Sequence, residues 1–352
     1  MADSFDPTRY ARQLSLDIIG PAGQQQLTDS RVAVVGCGGL GAIAAAYLAG
    51  AGVGYLRLID GDAPDLSNLH RQVFFSTQTK ATKAEALAKR LADLNPDLTF
   101  AAVPAYLSRK NAAEHLTGVD LVLECTDQAF IKHLVSDYCA LEEIPLIYGA
   151  VHKTQGYLAL FANQTNDDCH LRDLFPAPDD RLPTCAEVGV LNTAAGLIGL
   201  LQANEALKYL LGVGTSLRNK LLTYDCLSHH QHIIKISKNF QQDIEDIWET
   251  THYGHQDNWA PEISWDELQQ WPSAEYQLFS LLPPAQEEEM LPNALRYSSG
   301  QLQSPGKKVF YCPFGRQSLA VAKQLRAQGI EAYSLKGGRN GRDKTLDTRH
   351  KT

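Results

Sequence analysis

The sequence predicts an α/β protein whose larger domain is a doubly wound, mostly parallel sheet, followed by a small α/β domain. Four apolar runs predict strands at 31–35, 55–59, 120–124 and 145–148. Three helical patterns alternate with them, at 40–50, 81–94 and 129–140. Alternation of strands with helices is typical of a parallel sheet that is covered on both faces. The first strand leads into GCGGLG (36–41) and a helix, which is the arrangement of a nucleotide-binding turn.

Two later β-like segments are expected to extend the same sheet. They cover residues 156–161 and 220–236 and should add antiparallel strands. Between them, residues 191–214 are the most apolar long stretch, but polar residues at helical intervals indicate a packing helix rather than a membrane span. The first domain is therefore predicted to span residues 1–237.

A change of composition marks the second domain. Residues 238–261 are polar and without clear periodicity, which predicts a linker. Residues 262–352 are predicted to form the small domain, whose clearest unit is KKVFYC, a turn, a helix and the strand EAYSL.

Composition and charge narrow the class of protein. The chain has 352 residues, 44% of them hydrophobic and 20% charged, which suffices for one sizeable core and a smaller unit. The net charge of -8 argues against nucleic acid and against an anionic membrane as partners. The N-terminus shows no export signal, and seven cysteines without a secretory spacing indicate free thiols. We therefore expect a cytoplasmic protein.

The glycine-rich turn predicts contact with a phosphate. Its glycines are Gly36, Gly38, Gly39 and Gly41. A backbone without side chains can approach a phosphate closely, and the N-terminus of the following helix adds partial positive charge. Asp60 closes the next strand, the position from which an acid binds ribose hydroxyls.

Polar and charged residues after the second strand distinguish between nucleotides. They are Asp62, Asn68, Arg71, Gln72 and Lys83. Cations beside the ribose acid suit the charged tail of a nucleoside triphosphate, whereas a dinucleotide has little need of them. Asp127 follows another strand at the crevice where strand order reverses, and an acid there can hold Mg²⁺ against phosphates. We therefore predict ATP and Mg²⁺ as ligands.

Seven motifs together carry a resemblance to a known family. They lie within residues 5–237: RYARQ (9–13), GCGGLG (36–41), DGDAPDLSNLHRQ (60–72), Lys83, ECTD (124–127), TCAEVGVL (184–191) and GLIGLLQANEALKYLLG (196–212). In this combination the chain resembles the ThiF/MoeB/HesA family, the bacterial relatives of ubiquitin-activating enzymes. The resemblance implies a Rossmann-like adenylation domain that acts on the C-terminal Gly-Gly carboxylate of a small ubiquitin-like sulfur-carrier protein.

The resemblance also assigns roles to single residues. The implied ligands of the nucleotide are Asp60 for the ribose, Asn68, Arg71 and Lys83 for the phosphates, and Asp127 for magnesium. It further implies a homodimer in which Arg12 reaches the ATP of the partner. Fixed cations aimed at the departing pyrophosphate would lower the barrier to attack on the α-phosphorus, which agrees with these roles.

The chain departs from the family pattern at two places. Many members bind a structural zinc through two CxxC pairs, but His170 and Asp173 stand in the first pair and the second region has no cysteine. We therefore predict that zinc is absent. Gln128 and Lys132 stand where the family usually has Asn and Arg, and because they keep an amide and a cation, we expect activity.

Two cysteines are candidates for sulfur chemistry. Cys185 aligns with a family cysteine on the loop over the adenylate site, where a catalytic thiol or a small packed residue would both fit. The small domain resembles a rhodanese over about residues 305–341, and Cys312 would there carry a persulfide from a donor such as a cysteine desulfurase. Because FSLL (279–282) replaces the Asp-Val-Arg that a rhodanese would have, docking is the alternative role of this domain.

Three other functions remain open. The chain could adenylate a tRNA-linked carboxylate, although its acidic charge and rhodanese-like tail count against this. It could be an NAD-dependent oxidoreductase, or a non-catalytic scaffold that binds the carrier. An assay of pyrophosphate exchange separates the two adenylating functions from the other two.

Overall fold

A computed structural model of the protein describes residues 5–178, 189–251, 253, 262–273, 275–283, 290–298, 306–327 and 330–340. Contacts divide the chain into two units, Met1–Tyr253 and Gly254–Thr352. Each unit has its own sheet and its own hydrophobic core. The predicted domain limits of 1–237 and 262–352, with a linker between them, stay a prediction.

The larger unit is built on an eight-stranded sheet in the order β3-β2-β1-β4-β5-β6-β7-β8. The strands are β1 (Arg31–Val35), β2 (Tyr55–Ile59), β3 (Thr99–Val103), β4 (Leu121–Glu124), β5 (Leu146–His152), β6 (Gln155–Phe161), β7 (Lys220–Asp225) and β8 (Gln231–Lys235). The first five in this order are parallel, and β6 to β8 pair antiparallel beyond β5. The predicted doubly wound sheet and its antiparallel extension are both confirmed. Strand order reverses between β1 and β4, which opens a crevice at their carboxyl ends.

Helices cover both faces of this sheet. Among the described residues they are α1 (Ala11–Leu14), α2 (Gly20–Asp29), α3 (Gly41–Ala51), α4 (Lys83–Leu94), α5 (Ala112–Leu116), α6 (Ala129–Leu141), α7 (Asn192–Leu211) and α8 (Ile244–Thr250). Successive residues of a strand face opposite sides of the sheet. Accordingly, Val32 and Val34 of β1 belong to the core that packs on α3, α4 and α7, whereas Ala33 and Val35 belong to the core that packs on α5 and α6.

Five elements of this unit were not among the sequence predictions, and two of them, α1 and α5, have only four and five residues. Helix α2 has three glutamines and little apolar periodicity, and strand β3 is a sheet edge whose residues are only partly buried. Helix α8 lies inside the predicted linker, where Trp248 packs on the ring of Tyr138 at 5.5 Å. Each of these elements depends on contacts with distant residues more than on its own pattern.

The polar residues of α7 explain how an apolar helix of 20 residues belongs to a core. Gln202 is buried and donates hydrogen bonds from its amide to the carbonyls of Glu124 and Ile147. Glu205 is buried as well and accepts the Leu217 N–H at 2.6 Å. No helix of the described residues is long and apolar enough to cross a membrane.

The smaller unit contains a second parallel sheet, in the order β11-β10-β12-β13-β9. Its strands are β9 (Glu262–Ile263), β10 (Tyr276–Ser280), β11 (Leu295–Arg296), β12 (Lys307–Tyr311) and β13 (Ala332–Leu335), and its helices among the described residues are α9 (Trp265–Gln270) and α10 (Arg316–Ala327). The predicted strand, loop, helix and strand around Cys312 are present as β12, α10 and β13.

Candidate active site

The glycine turn lies between the carboxyl ends of β1 and β4. Gly36 has a φ of +87°, which L side chains rarely adopt, and its N–H donates to Ile59 O at 2.9 Å. A Cβ on Gly41 would lie 1.9 Å from the carbonyl oxygen of Gly36, so no other residue fits there without moving the turn. This tight turn aims the N-terminus of α3 at the crevice, where it favours an anion.

Asp60 is fixed beside this turn at the end of β2. Its two carboxylate oxygens accept the N–H groups of Cys37 at 2.8 Å and of Asp62 at 2.9 Å. Burial raises the pKa of the Asp60 carboxyl, while Lys83 opposes this shift. Each oxygen retains a lone pair for a further donor, which is the capacity that ribose hydroxyls require.

Lys83 begins α4 and points back to the same acids. Its ammonium group lies 2.9 Å from Asp62 and 3.9 Å from Asp60, and its side chain is 7% exposed. A capping box between Thr82 and Glu85 fixes the start of the helix. Lys83 is therefore a buried cation at the edge of the crevice, held by two carboxylates.

Tyr106 belongs to this cluster, although it was not among the predicted site residues. Its hydroxyl donates to Asp62, and this hydrogen bond raises the pKa of Tyr106 to about 12. The residue follows β3 by three positions, and β3 was not predicted, so nothing in the pattern placed Tyr106 at the carboxyl edge of the sheet.

Asn68, Arg71 and Gln72 come from one short loop. A 3-10 turn ends at Asn68, whose carbonyl accepts the N–H groups of Arg71 and Gln72 at 3.1 and 3.0 Å. Gln72 is 5% exposed, and its side-chain oxygen is buried without a hydrogen-bond partner among the described residues. Its amide nitrogen would lie 3.4 Å from a Cβ on Gly38. An unsatisfied buried acceptor beside the glycine turn fits a site that a ligand completes.

Asp127 is exposed just beyond β4 and makes no hydrogen bond or ion pair within the described part of the chain. The turn that carries it packs on the glycine turn, because Thr126 N would lie 3.0 Å from a Cβ on Gly36. A carboxylate free to bind a cation, next to a phosphate-binding turn, suits Mg²⁺.

Lys132 occupies the interior and does not extend into the crevice. Its ammonium group pairs with the buried carboxylate of Glu124 and donates to the carbonyl of Gly149 at 2.8 Å. Burial alone would lower the pKa of the Lys132 ammonium, but the facing carboxylate raises it overall. Gln128, the other departure from the family pattern, is exposed before α6.

Arg12 lies at the other end of α3 from the glycine turn. Tyr10 and Gln13 anchor its segment, since Asn95 donates to the Tyr10 hydroxyl and Gln13 donates to Ala51 O at 2.8 Å. Ala51 is the last residue of α3, an 11-residue helix of about 16 Å. Arg12 itself is exposed, so the segment presents a cation away from its own glycine turn.

A hydrogen-bonded cluster occupies the region where a zinc site would lie. Asp173 accepts the N–H groups of Asn239 at 2.7 Å and Phe240 at 2.8 Å with one oxygen and that of His170 with the other. Cys169 is buried, and its N–H donates to Asn219. Within the described ranges no group of three His, Cys, Asp or Glu residues could hold a metal ion.

Cys312 follows β12 in the smaller unit. Its sulfur accepts the N–H of Gly315 at 3.1 Å and the hydroxyl of Ser318 at 3.5 Å, and the residue is 2% exposed. Such donors stabilise an anionic sulfur. Cys185, the other candidate thiol, lies outside the described residues.

The structure thus brings most of the predicted ligands to one edge of the sheet. These ligands contact one another directly or through the glycine turn: the four glycines, Asp60, Asp62, Lys83, Arg71 and Gln72. Asn68 and Asp127 lie on the adjoining turns. This region falls within residues 10–245, which match the ThiF family. The chain belongs to the ThiF family.

Named relatives agree with this membership. The chain is 41% identical over 233 residues to SAMP-activating enzyme E1 of Haloferax volcanii, a match that covers 64% of this chain and 85% of the relative. It is 40% identical over 238 residues to sulfur carrier protein adenylyltransferase of Thermus thermophilus, covering 66% and 88%. The predictions of a ThiF-like domain and of an adenylyltransferase are confirmed.

For a longer relative, the match covers about half of its length. Adenylyltransferase and sulfurtransferase MOCS3 of Drosophila grimshawi is 39% identical over 223 residues, which cover 62% of this chain and 49% of MOCS3. Among solved structures, E. coli MccB with ATP superposes with a TM-score of 0.57 at 18% identity, covering 68% of this chain and 74% of MccB. The likeness to MccB confirms the fold of this ThiF-family chain. ATP is the nucleotide that adenylyltransferases of the family use.

Proposed function

We propose that this ThiF-family chain adenylates the C-terminal Gly-Gly carboxylate of a small ubiquitin-like sulfur-carrier protein. The observation that carries the proposal is the cluster of Asp60, Asp62 and Lys83 beside the glycine turn. The domain that contains it is 40% identical to an enzyme named sulfur carrier protein adenylyltransferase. A dinucleotide oxidoreductase has little need of a buried cation at this place.

The chemistry follows from charge. A carboxylate oxygen of the carrier attacks the α-phosphorus of ATP, the bond to the β-phosphate breaks, and pyrophosphate leaves with the electron pair. Lys83 and Arg71 would stabilise the charge on that leaving group, while Asp60 would hold the ribose. Asp127 would hold Mg²⁺, which when bound neutralises phosphate charge.

Arg12 would complete the site of a partner subunit. It lies near the far end of α3 from its own glycine turn, a distance of about 16 Å along the helix, which is longer than an arginine side chain. Leu16 and Ile18, four and six residues further on, are 50% and 64% exposed. These apolar side chains favour burial against a second copy of the chain.

Sulfur transfer is the second part of the proposal. Cys312 would carry a persulfide, whose terminal sulfur attacks the acyl-adenylate, and AMP would leave with the bonding electrons. An added thiol would then attack the Cys312 sulfur, form a mixed disulfide with it and release the thiocarboxylate. The N–H of Gly315 and the hydroxyl of Ser318 support an anionic sulfur at Cys312.

Exchange of labelled pyrophosphate into ATP tests the adenylation. Exchange should require Mg²⁺ and a small carrier that ends in Gly-Gly, and a carrier ending in Ala-Ala is the matched control. Pyrophosphate exchange with a tRNA-linked carboxylate, and none with any Gly-Gly carrier, would contradict the proposed substrate. Binding of NAD(H) with no binding of ATP would contradict the proposed activity.

Peptide mass spectrometry tests the sulfur step. After incubation with a sulfur donor such as a cysteine desulfurase, the added sulfur should lie on Cys312, and Cys312→Ser should not form thiocarboxylate. Sulfur on Cys185, or normal thiocarboxylate formation by Cys312→Ser, would make the smaller unit a docking module instead. A cytoplasmic location remains a prediction.

A further inference from the structure

A buried ion pair lies directly beneath the turn that carries Asp127. Glu124 is the last residue of β4 and is 0% exposed, and Lys132 in the first turn of α6 is 11% exposed. One oxygen of Glu124 pairs with Lys132 and the other accepts the N–H of Thr126 at 2.8 Å together with the Thr126 hydroxyl. Lys132 also donates to Gly149 O on β5. The pair therefore links β4, β5 and α6 to the backbone next to Asp127.

The same turn contacts the phosphate-binding loop. A Cβ on Gly36 would lie 3.0 Å from the carbonyl carbon of Cys125, from Thr126 N and from the Thr126 methyl group. Gln202 holds the preceding strand end, because its amide donates to Glu124 O at 2.9 Å. A shift of Thr126 would therefore move both Asp127 and the glycine turn.

We propose that Lys132 is a positioning residue which, through Glu124 and Thr126, holds the Asp127 turn and the glycine turn in the geometry that binds the nucleotide. This inference rests on the proposed function for the role of Asp127, but not on the identity of the carrier. Lys132 acts from the interior and does not contact the substrate, since its ammonium group is already bound by Glu124 and Gly149.

A double-mutant cycle separates positioning from direct contact. Lys132→Met leaves the buried carboxylate of Glu124 unpaired, and Glu124→Gln removes the negative charge that faces Lys132. Each variant should therefore raise the dissociation constant of a non-hydrolysable ATP analogue with Mg²⁺. We expect each single variant to raise this dissociation constant about tenfold. The double variant should lose clearly less binding free energy than the two single variants together, because the effects of neighbouring residues in one network are not additive. Lys132→Arg should keep most of the affinity.

Direct contact with the nucleotide predicts a different pattern. Lys132→Met would then lower the affinity for the analogue by the same factor in the wild-type and Glu124→Gln backgrounds, and the Glu124→Gln variant alone would bind the analogue normally. Either result overturns the proposal. The pair Glu205 and Lys208 on α7 is the matched control, since Glu205 is 2% exposed and paired with Lys208. Glu205→Gln should lower stability and leave the affinity for the analogue unchanged.

Amide hydrogen exchange of the nucleotide-free chain tests the proposal without any measurement of enzyme activity. In Lys132→Met, residues 125–128 should exchange faster than in the wild type while the strands keep their protection. Unchanged exchange at these residues would overturn the proposal. If both single variants fail to fold, the double variant decides: faster exchange at residues 125–128 together with lower affinity supports the positioning role, and wild-type exchange at these residues contradicts it. These results stand even if no Gly-Gly carrier is adenylated, which would refute only the proposed function.

Discussion

Lys83 illustrates how single residues hold charge inside this protein. Its side chain is 7% exposed, and the carboxylates of Asp62 and Asp60 replace the water it loses. Removal of one partner from a buried ion pair costs about 3–5 kcal/mol, because the other charge is left without compensation. We expect the phosphates of ATP to compete with Asp62 for this cation.

The role of Asp127 can be tested with one substitution. Asp127→Ala should reduce pyrophosphate exchange by about a hundredfold or more, since a preorganised charge at a phosphoryl-transfer site contributes this much. The residue is exposed, so the thermal midpoint should not change. Asp93→Ala removes another exposed acid and is the control. Full exchange activity in Asp127→Ala would exclude it as a metal ligand.

His170 should make stability depend on pH. Burial lowers the pKa of its imidazole, with Asp173 opposing the shift, and Nδ1 accepts the Arg172 N–H at 3.2 Å. Because the folded-state pKa lies below the unfolded value of about 6.5, this contribution is complete above that pH and is lost as the pH falls below it. The free energy of unfolding, measured with urea at about pH 7.5 and about pH 5.5, should fall less between these two pH values for His170→Asn than for the wild type. An identical loss would contradict this, and His230→Asn, at an exposed site, is the control.

At the scale of elements, helix α3 connects the nucleotide turn to the core. A Cβ on Gly41 would meet Gly36 O at 1.9 Å, whereas a Cβ on Gly50 meets nothing within 4 Å. Gly41→Ala should therefore abolish ATP binding, and Gly50→Ala should raise the free energy of unfolding by about 0.5–1 kcal/mol. Calorimetric titration with ATP and urea unfolding measure the two effects. Normal ATP binding by Gly41→Ala would show that the turn is not the phosphate site.

Hydrogen bonds join the segments around Cys169 and Phe240. Both oxygens of Asp173 accept backbone N–H groups there, and few soft ligands remain for a tetrahedral site. We expect elemental analysis of the purified protein to find no stoichiometric zinc. One zinc per chain would show that the ligand set has been misread.

At the scale of the whole molecule, the site is expected to need two chains. Arg12→Ala and Asp127→Ala subunits should each be inactive alone, and mixing them should restore one working site per mixed dimer. The physical reason is the position of Arg12 at the far end of α3, beyond reach of its own glycine turn. Absence of recovery after subunit exchange, verified by native mass spectrometry, would contradict donation across the interface.

Much of this architecture follows from local pattern. Strand and helix periods, one glycine turn and a run of charged residues were enough to predict the parallel sheet and the ligands at its edge, because the carboxyl ends of parallel strands meet there. The antiparallel strands after residue 155 were also recognised from their apolar runs. Edge strand β3 and helix α2 were missed because their residues are stabilised by neighbours distant in sequence.

The sequence by itself determined the fold class, the family and the identity of most candidate ligands. Only the tertiary structure decided what each side chain contacts: it added Tyr106 to the acidic cluster, bound Lys132 to Glu124 in the interior, and occupied both oxygens of Asp173. The physical reason is that helices and strands follow from residue types and their spacing along the chain. The contacts of a side chain across a sheet or between helices arise from non-local packing, which this spacing does not specify.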